Sequence, residues 1–279
     1  MRRSILVLSA LALALSGCNS TKTNSNLVSS SDIIQSSNSE TAAVVAKALA
    51  GNNGTNGKDS KSKLFVDDAT GKLVLARADS TETYPVDDGK ANVTLLRYNS
   101  TKEDGTPLAL YLLDPASLGF KYQTFGQAVS IKNDIAKAET GYVNVGRRVV
   151  PADTATINAK YTGGALGTYD NDLVASYVDA DLKWGADAKI LAVTTRDSGV
   201  SSNFLQLDPD EKNDLRTDRR FDFTEVMNWD AKTQAFTSGD SRGYMYGPDA
   251  AEVGGTLTKQ IDGIGYNAGF GAVKETPKP

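Results

Sequence analysis

Residues 243–258 (GYMYGPDAAEVGGTLT) constrain the fold of this chain more than any other stretch, because they predict two strands joined by a tight turn. The turn is Gly-Pro-Asp at 247–249, since proline presets φ at a turn corner and glycine accepts unusual backbone dihedrals. Gly254 and Gly255 lie inside the second strand, where glycines indicate a bulge or a close approach of two backbones. The stretch therefore predicts a β-hairpin of the kind found at the corner of a barrel.

Strand candidates follow one another at regular spacing through the second half of the chain. The clearest is 176–184, where apolar and charged residues alternate. Gly163 and Gly164 predict a turn between strands at 155–162 and 165–169. About eight strands in roughly 125 residues, each with one apolar face, predict a closed barrel. Side chains can fill a barrel of this size, so no deep ligand lumen is expected.

The first half of the folded part predicts a smaller, mixed domain. Residues 127–139 carry apolar side chains at spacings of 3, 4 and 3, which suit one face of a short helix. Pro151 marks a turn-like boundary. We therefore predict a mainly β chain, with a small mixed β/α domain at 64–151 and an eight-stranded antiparallel β-barrel at 152–279. Strand candidates of the first domain are 64–66 and 72–78, which form a hairpin, then 92–98, 108–113, 120–126 and 142–150.

The N-terminus has the pattern of a bacterial lipoprotein signal. Two arginines at 2–3 precede an apolar region at 5–15, and Leu-Ser-Gly-Cys at 15–18 matches the lipobox. Residues 1–17 are therefore predicted to be a signal peptide. Cys18 becomes the lipidated first residue of the mature protein, anchored by acyl chains such as palmitate. The alternative is an ordinary signal peptide that happens to hold a cysteine.

Residues 18–63 predict a flexible tether. They are rich in serine, asparagine, threonine, glycine and lysine, and cannot bury enough apolar surface to offset the entropy lost on ordering. Asn19, rather than aspartate, follows the cysteine, which is compatible with sorting to the outer membrane. Residues 40–50 (ETAAVVAKALA) predict either a transient helix within the tether or a helix that docks on a partner, with Ser39 as N-cap.

Two absences in the sequence exclude whole classes of function. The chain has no histidine, which excludes a Ser-His-Asp triad, a Cys-His dyad and histidine-ligated zinc or haem. Cys18 is the only cysteine, so disulfides and, once it is acylated, thiol chemistry are excluded as well. The net charge of -4, without a long basic stripe, argues against nucleic acid and against an anionic membrane surface as partners. We expect no enzyme activity and no bound metal.

Three clusters of charged residues each have two interpretations. Residues 208–214 (DPDEKND) suggest either a calcium site, although the central glycine of an EF-hand loop is missing, or a solvated acidic loop. Asp179 and Asp181 point the same way on one strand, as paired glycosidase carboxylates or as part of a solvent-facing side. The arginines at 147–148 and within 216–220 (RTDRR) fit either an acidic partner or ion pairs with neighbouring aspartates.

The hairpin at 243–258 resembles the closing hairpin of the C-terminal barrels in the transferrin-binding protein B family, whose pattern is YGPxAxExGG. Residues 120–126 (FKYQTFG) add a second likeness, to a YQTFG element in the handle domains of that family, although they also fit a plain aromatic-rich strand. The resemblance covers residues 64–279 and implies a handle domain followed by the barrel. The hairpin residues that match are Tyr246, Gly247, Pro248, Ala250, Glu252, Gly254 and Gly255.

The same resemblance implies a function. Members of the family, which include factor H-binding lipoproteins and haem-binding hemophilins, are displayed outside the outer membrane by a surface lipoprotein assembly modulator and bind host molecules. The overall organisation further resembles a lipoprotein with which insect-pathogen symbionts colonise the nematode intestine. We therefore expect a surface adhesin that binds a host protein or glycan and promotes colonisation in symbiosis. The alternative is capture of haem or an iron-carrier protein, handed over to an outer-membrane receptor.

Aromatic residues of the handle are the ligand-binding candidates that the resemblance implies. Hemophilin-like members hold haem at the handle, often through a histidine; here a haem would need Tyr, Met or no axial ligand. We therefore expect no cofactor. If a haem binds nevertheless, Met227 and Met245 are further candidates for its axial ligand. The aromatic candidates are Tyr98, Tyr122, Phe125 and Tyr142.

Binding surfaces in this fold lie on variable loops. The loops predicted to form the surface are 99–107 and 122–126 in the handle and 197–218 in the barrel.

Overall fold

The computed structural model describes residues 34–36, 64–66, 70, 72–75, 78–86, 91–101, 105–130, 139–170, 172–201 and 216–276. These residues form two antiparallel sheets and one short separate hairpin, connected by turns and by short 3₁₀ segments. The prediction of a mainly β chain is confirmed. No helix within these ranges is long and apolar enough to cross a membrane.

The N-terminal part forms a six-stranded sheet beside a small hairpin. The hairpin predicted at 64–78 is confirmed, and its Leu73 and Leu75 pack against one face of the sheet. The sheet strands are β1 (Ile34–Ser36), β4 (Ser80–Val86), β5 (Ala91–Thr101), β6 (Pro107–Leu113), β7 (Gln123–Ser130) and β8 (Glu139–Gly146), and the hairpin is β2 (Leu64–Val66) with β3 (Leu73–Leu75). Across the sheet the order is β1-β8-β7-β6-β5-β4.

Eight further antiparallel strands close into a ring, as the strand spacing predicts. Each strand pairs with its neighbour, and the last pairs back onto the first, so this sheet has no open edge. Two short strands extend the pairing of this sheet, since β9 (Arg148–Val149) pairs with residues 245–246 and β13 (Arg216–Thr217) pairs with residues 199–200. The ring strands are β10 (Ile157–Tyr169), β11 (Asp172–Trp184), β12 (Lys189–Ser201), β14 (Thr224–Asp230), β15 (Ala235–Ser238), β16 (Ser241–Tyr246), β17 (Glu252–Ile261) and β18 (Ile264–Lys274).

Side chains fill the interior of the ring and plug both of its ends. At one end Tyr169 and Phe221 meet edge to face, with ring centroids 5.1 Å apart. At the other end Trp184 and Phe236 meet in the same way at 6.2 Å. Between them lie fully buried aliphatic residues such as Leu191. Because these side chains occupy the interior of the ring, the outer surfaces of the barrel are what it offers to a ligand.

Glu252 connects the ring to the six-stranded sheet. Its carboxylate accepts hydrogen bonds from the backbone N–H groups of Lys121 (2.6 Å) and Tyr122 (3.2 Å). Burial raises the pKa of Glu252 to about 7, and the hydrogen bonds that it accepts from the sheet offset part of this effect. The glutamate of the hairpin pattern therefore serves the contact between the two sheets, which we call the joint.

Gly254 makes room for polar side chains of the sheet at the joint. A Cβ atom there would lie 2.0 Å from Gln123 Oε1 and 2.5 Å from Asn144 Nδ2. Gln123 Nε2 donates to the carbonyl of Val253 at 2.7 Å, and Asn144 Nδ2 donates to that of Phe270 at 3.0 Å. A side chain at position 254 would push both amides away from the barrel backbone.

At two other positions of the hairpin pattern the structure also explains why the residue is glycine. Gly247 combines φ +70° with ψ 173°, a region almost restricted to glycine, and a Cβ there would lie 2.4 Å from the Tyr122 ring. A Cβ on Gly255 would lie 1.9 Å from the carbonyl oxygen of Arg242. The close backbone approach predicted for this strand is confirmed.

The helix predicted over residues 127–139 is wrong where the structure describes it. β7 covers its first residues and β8 its last, while 131–138 lie outside the described residues. Gln127 is paired with Tyr111 on one side and with Tyr142 on the other. Pairing with a strand on each side satisfies the backbone hydrogen bonds of this segment. This tertiary context overrides the local helical spacing of the apolar residues.

The turn predicted at Gly163 and Gly164 is also wrong, because β10 runs straight through both. A Cβ on Gly163 would lie 2.0 Å from the carbonyl oxygen of Gly271 on the neighbouring strand. A Cβ on Gly164 would lie 3.2 Å from Leu118, which belongs to the sheet side of the molecule. These glycines permit close packing and do not reverse the chain.

Part of the predicted tether is a strand. Within 18–63 the structure describes Ile34–Ser36, and this segment pairs with β8 at the edge of the sheet. The tether prediction is wrong for these three residues, because the apolar side chain of Ile34 is buried in the core on one face of the sheet. The other residues of 18–63, including the helix candidate at 40–50, lie outside the described residues, as do 1–17.

Candidate functional site

A notch opens at one end of the ring, where β12 and β14 separate. Their pairing stops at Ile190 opposite Asn228, and the chain beyond turns away on both sides. The notch is an open cleft of about 390 Å³ lined by residues 185–190, Asn228 and Trp229. The six-stranded sheet packs on β10, β17 and β18. Since β12 and β14 lie across the ring from β18, the notch faces away from the sheet.

Trp229 is the aromatic wall of the notch. Its ring centroid lies 4.8 Å from that of Trp184 at an interplanar angle of 81°, and 5.2 Å from that of Phe236 at 64°. Trp184 is itself fixed, because it is buried and its Nε1–H donates to the carbonyl of Ala152 at 3.2 Å. Trp229 remains half-buried. The indole is therefore held from behind while part of its surface stays accessible in the notch.

Charged and polar groups also line the notch or lie beside it. Lys189 Nζ lies 4.4 Å from the ring centroid of Trp184 and 2.5 Å from Asp153 Oδ1. The Asp153 side chain is 89% exposed, so this ion pair lies at the surface. Asp187 and Asn228 are exposed at the mouth of the notch. The notch thus combines an aromatic ring, an amide, a carboxylate and a lysine whose charge is already paired.

An apolar patch adjoins the notch on the outer wall of the ring. Ile190 and Ala192 of β12 lie opposite Asn228 and Val226 of β14. Val226 is 50% exposed, and Ile190 and Ala192 are partly exposed. We call the notch together with Ile190, Ala192 and Val226 the binding face. Its indole, amide and apolar side chains are groups that contact a ligand without reacting with it.

Among the described residues, the side chains that could ligate haem iron or a metal ion are dispersed or buried. Within the described ranges, no three Asp, Glu, Cys or His side chains gather as a metal site would require. Met227 and Met245 lie inside the barrel core. Burial raises the pKa of Tyr98 and that of Tyr142 to about 12 each, so both phenols stay protonated near neutral pH. Ligation of iron as a phenolate is correspondingly disfavoured at these two positions.

The four aromatic residues predicted to bind a ligand lie in different places. Tyr98 is buried on the face of the sheet towards the β2–β3 hairpin, whereas Phe125 is buried on the face towards the barrel. Tyr142 also lies on the barrel side, and its hydroxyl is hydrogen-bonded to that of Thr168. Tyr122 is half-buried at the joint. Their role in ligand binding stays a prediction.

The predicted binding loops are only partly described. Residues 122–126 do not form an open loop, because β7 begins at Gln123 and its side chains are buried; that part of the surface prediction is wrong. Residues 102–104 of the 99–107 loop and 202–215 of the 197–218 loop lie outside the described residues. The acidic cluster at 208–214 falls in the second of these gaps.

The two strand aspartates lie on the solvent side of the barrel, as their alternation indicates. Asp179 pairs with Arg196, whose Nε lies 2.6 Å from Oδ2, and Asp181 pairs with Lys160 at 3.1 Å. All four side chains are at least two-fifths exposed. Such pairs contribute little to stability, and neither carboxylate is held in a cleft with the other.

Two arginines of the basic clusters, Arg220 and Arg148, have local partners. Arg220 pairs with Asp218 at 2.6 Å, which confirms the predicted ion pair. Asp222 was expected to pair in the same way, but it accepts hydrogen bonds from the backbone and hydroxyl of Ser198 instead. The guanidinium of Arg148 lies 5.3 Å from the ring centroid of Tyr244.

Sequence reasoning did not identify the binding face. The useful signal is that the only two tryptophans of the chain, Trp184 and Trp229, each lie at or beside the end of a strand next to a turn. Aromatic residues at strand ends meet only once the ring has closed. Their positions along the chain do not reveal this.

No family model and no curated protein matches the sequence. Among solved structures, the chain is similar to the vaccine antigen transferrin-binding protein B of Haemophilus parasuis Hp5, with 18% identity over 78% of this chain and 42% of that one, and a TM-score of 0.40. It is also similar to transferrin-binding protein B of serogroup B Neisseria meningitidis, with 15% identity over 76% and 41% and a TM-score of 0.30. The chain spans less than half the length of either protein. Both carry the name of the family that the hairpin pattern resembles.

Proposed function

We propose that this chain is a lipoprotein of the outer membrane, displayed on the outside of the cell, whose folded part binds a host molecule and promotes host colonisation. The observation that carries the binding role is the binding face, where a fixed, half-buried tryptophan meets exposed polar groups and an apolar patch. Aromatic residues anchored in this way are typical of the energetic centre of a recognition surface.

The barrel supports this proposal through its rigidity. Because side chains fill the ring and aromatic pairs plug its ends, the wall that carries the binding face has a solid core behind it. A preorganised surface loses little entropy when a ligand docks. The joint places the six-stranded sheet on the other wall, so a ligand can approach the binding face without meeting the sheet.

Membrane attachment rests on the lipobox, with Cys18 as the acylated residue. We expect cells that express the full chain to incorporate labelled palmitate into it, and a protease added to intact cells to digest it. Cys18→Ser should abolish the label and release the protein from the membrane fraction. A labelled chain that resists protease on intact cells but not on lysed cells would contradict surface display while leaving lipidation intact.

Capture of haem or of an iron-carrier protein is the alternative function. The two similar structures are of proteins named for binding transferrin, and the absence of histidine counts against haem but not against a protein carrier. A haem titration of the detergent-solubilised full chain, read in the Soret band, separates the cases. A saturable one-to-one shift would support haem capture and overturn the expectation of no cofactor. A titration without a shift would exclude haem capture and favour host binding.

Host binding itself is tested with bacteria that carry the gene for the full chain and with a matched deletion strain. We expect the expressing strain to adhere to host tissue and to outcompete the deletion strain during colonisation. Equal adhesion by both strains, with surface expression verified by antibody, would overturn the proposed function.

A further inference from the structure

We infer that the notch binds one neutral pyranose ring of a glycan. This inference deepens the proposed function, on which it rests only in taking the binding face as the recognition surface. The observation that carries it is that the partly accessible Trp229 and the exposed Asn228 and Asp187 line one open cleft of about 390 Å³. Ligand clefts of roughly 300–1,000 Å³ hold small organic molecules, so the notch has space for one or two sugar rings.

The indole supplies the apolar half of such a site. One face of a pyranose ring consists of C–H bonds, and these meet the electron-rich face of an aromatic ring favourably. Trp184 and Phe236 hold Trp229 from two directions, at 4.8 and 5.2 Å. Binding therefore does not have to order a mobile side chain, which removes one of the usual costs of association.

The polar groups fit the edge of a sugar. Every sugar hydroxyl can both donate and accept a hydrogen bond. An amide offers two donors and an acceptor, and a carboxylate offers only acceptors. Asn228 and Asp187 lie on the two chain segments that border the notch, and both are exposed. Because neighbouring strand residues face opposite sides, the Asn228 amide can meet only the outer edge of a ring that contacts Trp229, and Asp187 can accept from hydroxyls at the mouth.

The charges favour a neutral sugar over an acidic one. The ammonium of Lys189 is 2.5 Å from Asp153, so its charge is already compensated. Asp187 adds an exposed carboxylate at the mouth, which would repel an anionic ligand. A purely apolar protein side chain fits less well, because besides Trp229 and Ile190 the wall is formed by small and polar residues.

The test is a titration of the detergent-solubilised full chain with neutral disaccharides, namely lactose, maltose, cellobiose and chitobiose, with sialyllactose as the acidic comparison. Binding is followed by tryptophan fluorescence and by saturation-transfer NMR on the sugar. We expect at least one neutral disaccharide to bind with a Kd on the order of 1 mM, a typical weak affinity for so small a contact. Asn228→Ala and Asp187→Ala should each weaken that binding about tenfold.

Asp240→Ala is the matched control, because Asp240 is also exposed in a turn but lies at the opposite end of the ring. It should leave sugar affinity unchanged. The inference is overturned if none of the neutral sugars binds, if sialyllactose binds more tightly than all of them, or if the two notch variants bind as the parent does. Host adhesion that depends on the binding face without any sugar binding would refute the glycan and leave the proposed function standing. Sugar binding without host adhesion would support the glycan site and overturn the proposed function.

Discussion

The carboxylate of Glu252 accepts a 2.6 Å hydrogen bond from the backbone N–H of Lys121, a residue 131 positions away in the sequence. Lys121 lies two residues before β7 of the six-stranded sheet and Glu252 begins β17 of the barrel, so this contact ties the barrel to the sheet. It also gives a physical reason for the glutamate in a hairpin whose other special residues are glycines and a proline. The hairpin is both a barrel corner and one half of the joint.

Replacing Glu252 by alanine should destabilise the joint. The variant loses the acceptor for the N–H groups of Lys121 and Tyr122 and leaves them without this partner in a poorly solvated place, so we expect a loss of about 1–3 kcal/mol. Chemical denaturation of the full chain measures it. Glu275→Ala is the control, since Glu275 is exposed beyond the last strand and should change stability little. Equal effects of the two substitutions would contradict the role of Glu252.

The stability of the protein should carry a pH dependence that comes from Glu252. Burial raises the pKa of this carboxyl from 4.5 to about 7 in the folded chain. The folded state therefore binds a proton more tightly than the unfolded state does. The stabilising contribution is complete below about pH 4.5 and is lost as the pH rises through 7, with a slope of at most about 1.4 kcal/mol per pH unit.

Glu252→Gln isolates that contribution, because glutamine cannot titrate. We expect the free energy of unfolding of the parent, relative to that of this variant, to fall between pH 5 and pH 7.5. Other carboxylates titrate in both proteins and cancel in the difference. Parallel pH profiles of the two proteins would show that Glu252 is ionised in the folded state at its ordinary pKa.

Gly247→Ala should be much more destabilising than an alanine at another glycine with positive φ. Gly247 has both a glycine-restricted backbone and the Tyr122 ring 2.4 Å from the place of a Cβ. Gly263 has φ +81° but no atom within 4 Å of that place. We expect Gly263→Ala to cost about 1–2 kcal/mol and Gly247→Ala at least twice as much. Thermal unfolding compares them, and similar losses would mean that the contact with Tyr122 does not matter.

Ile34→Asp should loosen the edge of the six-stranded sheet without unfolding the barrel. Ile34 is buried and lies opposite Val145 in the β1–β8 pairing. A buried, unpaired carboxylate is strongly unfavourable, so β1 should detach. Hydrogen exchange should then speed up at residues 143–145, while the β10–β11 pairing keeps its protection. Unchanged exchange at 143–145 would show that β1 does not protect this edge.

Much of the ring was predictable from the sequence because its strands show strict alternation. β11 is the clearest case, since Val178, Ala180 and Leu182 are buried between exposed or half-buried polar residues. β15 was not predicted, because four residues are too few to show a period. The helix at 127–139 was predicted wrongly because β7 is buried on both faces, and a strand of that kind has no alternation to show.

The joint and the binding face were beyond sequence reasoning for a different reason. Glu252 meets Lys121, and Trp184 meets Trp229, only through contacts between segments far apart in the chain. Glycines such as Gly163 gave an ambiguous signal, since a turn and a close packing contact both favour glycine. The resemblance of the hairpin indicated that its residues matter, and the contacts around them supply the physical reason.

The most direct test of the proposed function is adhesion to host tissue by cells that display the full chain with one exposed apolar residue changed. Val226→Lys places a charge in the binding face, and Ile264→Lys places the same charge on an exposed apolar residue, 37% accessible, at the opposite end of the ring. With equal surface expression, we expect Val226→Lys to reduce adhesion at least tenfold and Ile264→Lys to leave it unchanged. Full adhesion by the Val226→Lys cells would contradict the assignment of host binding to this face.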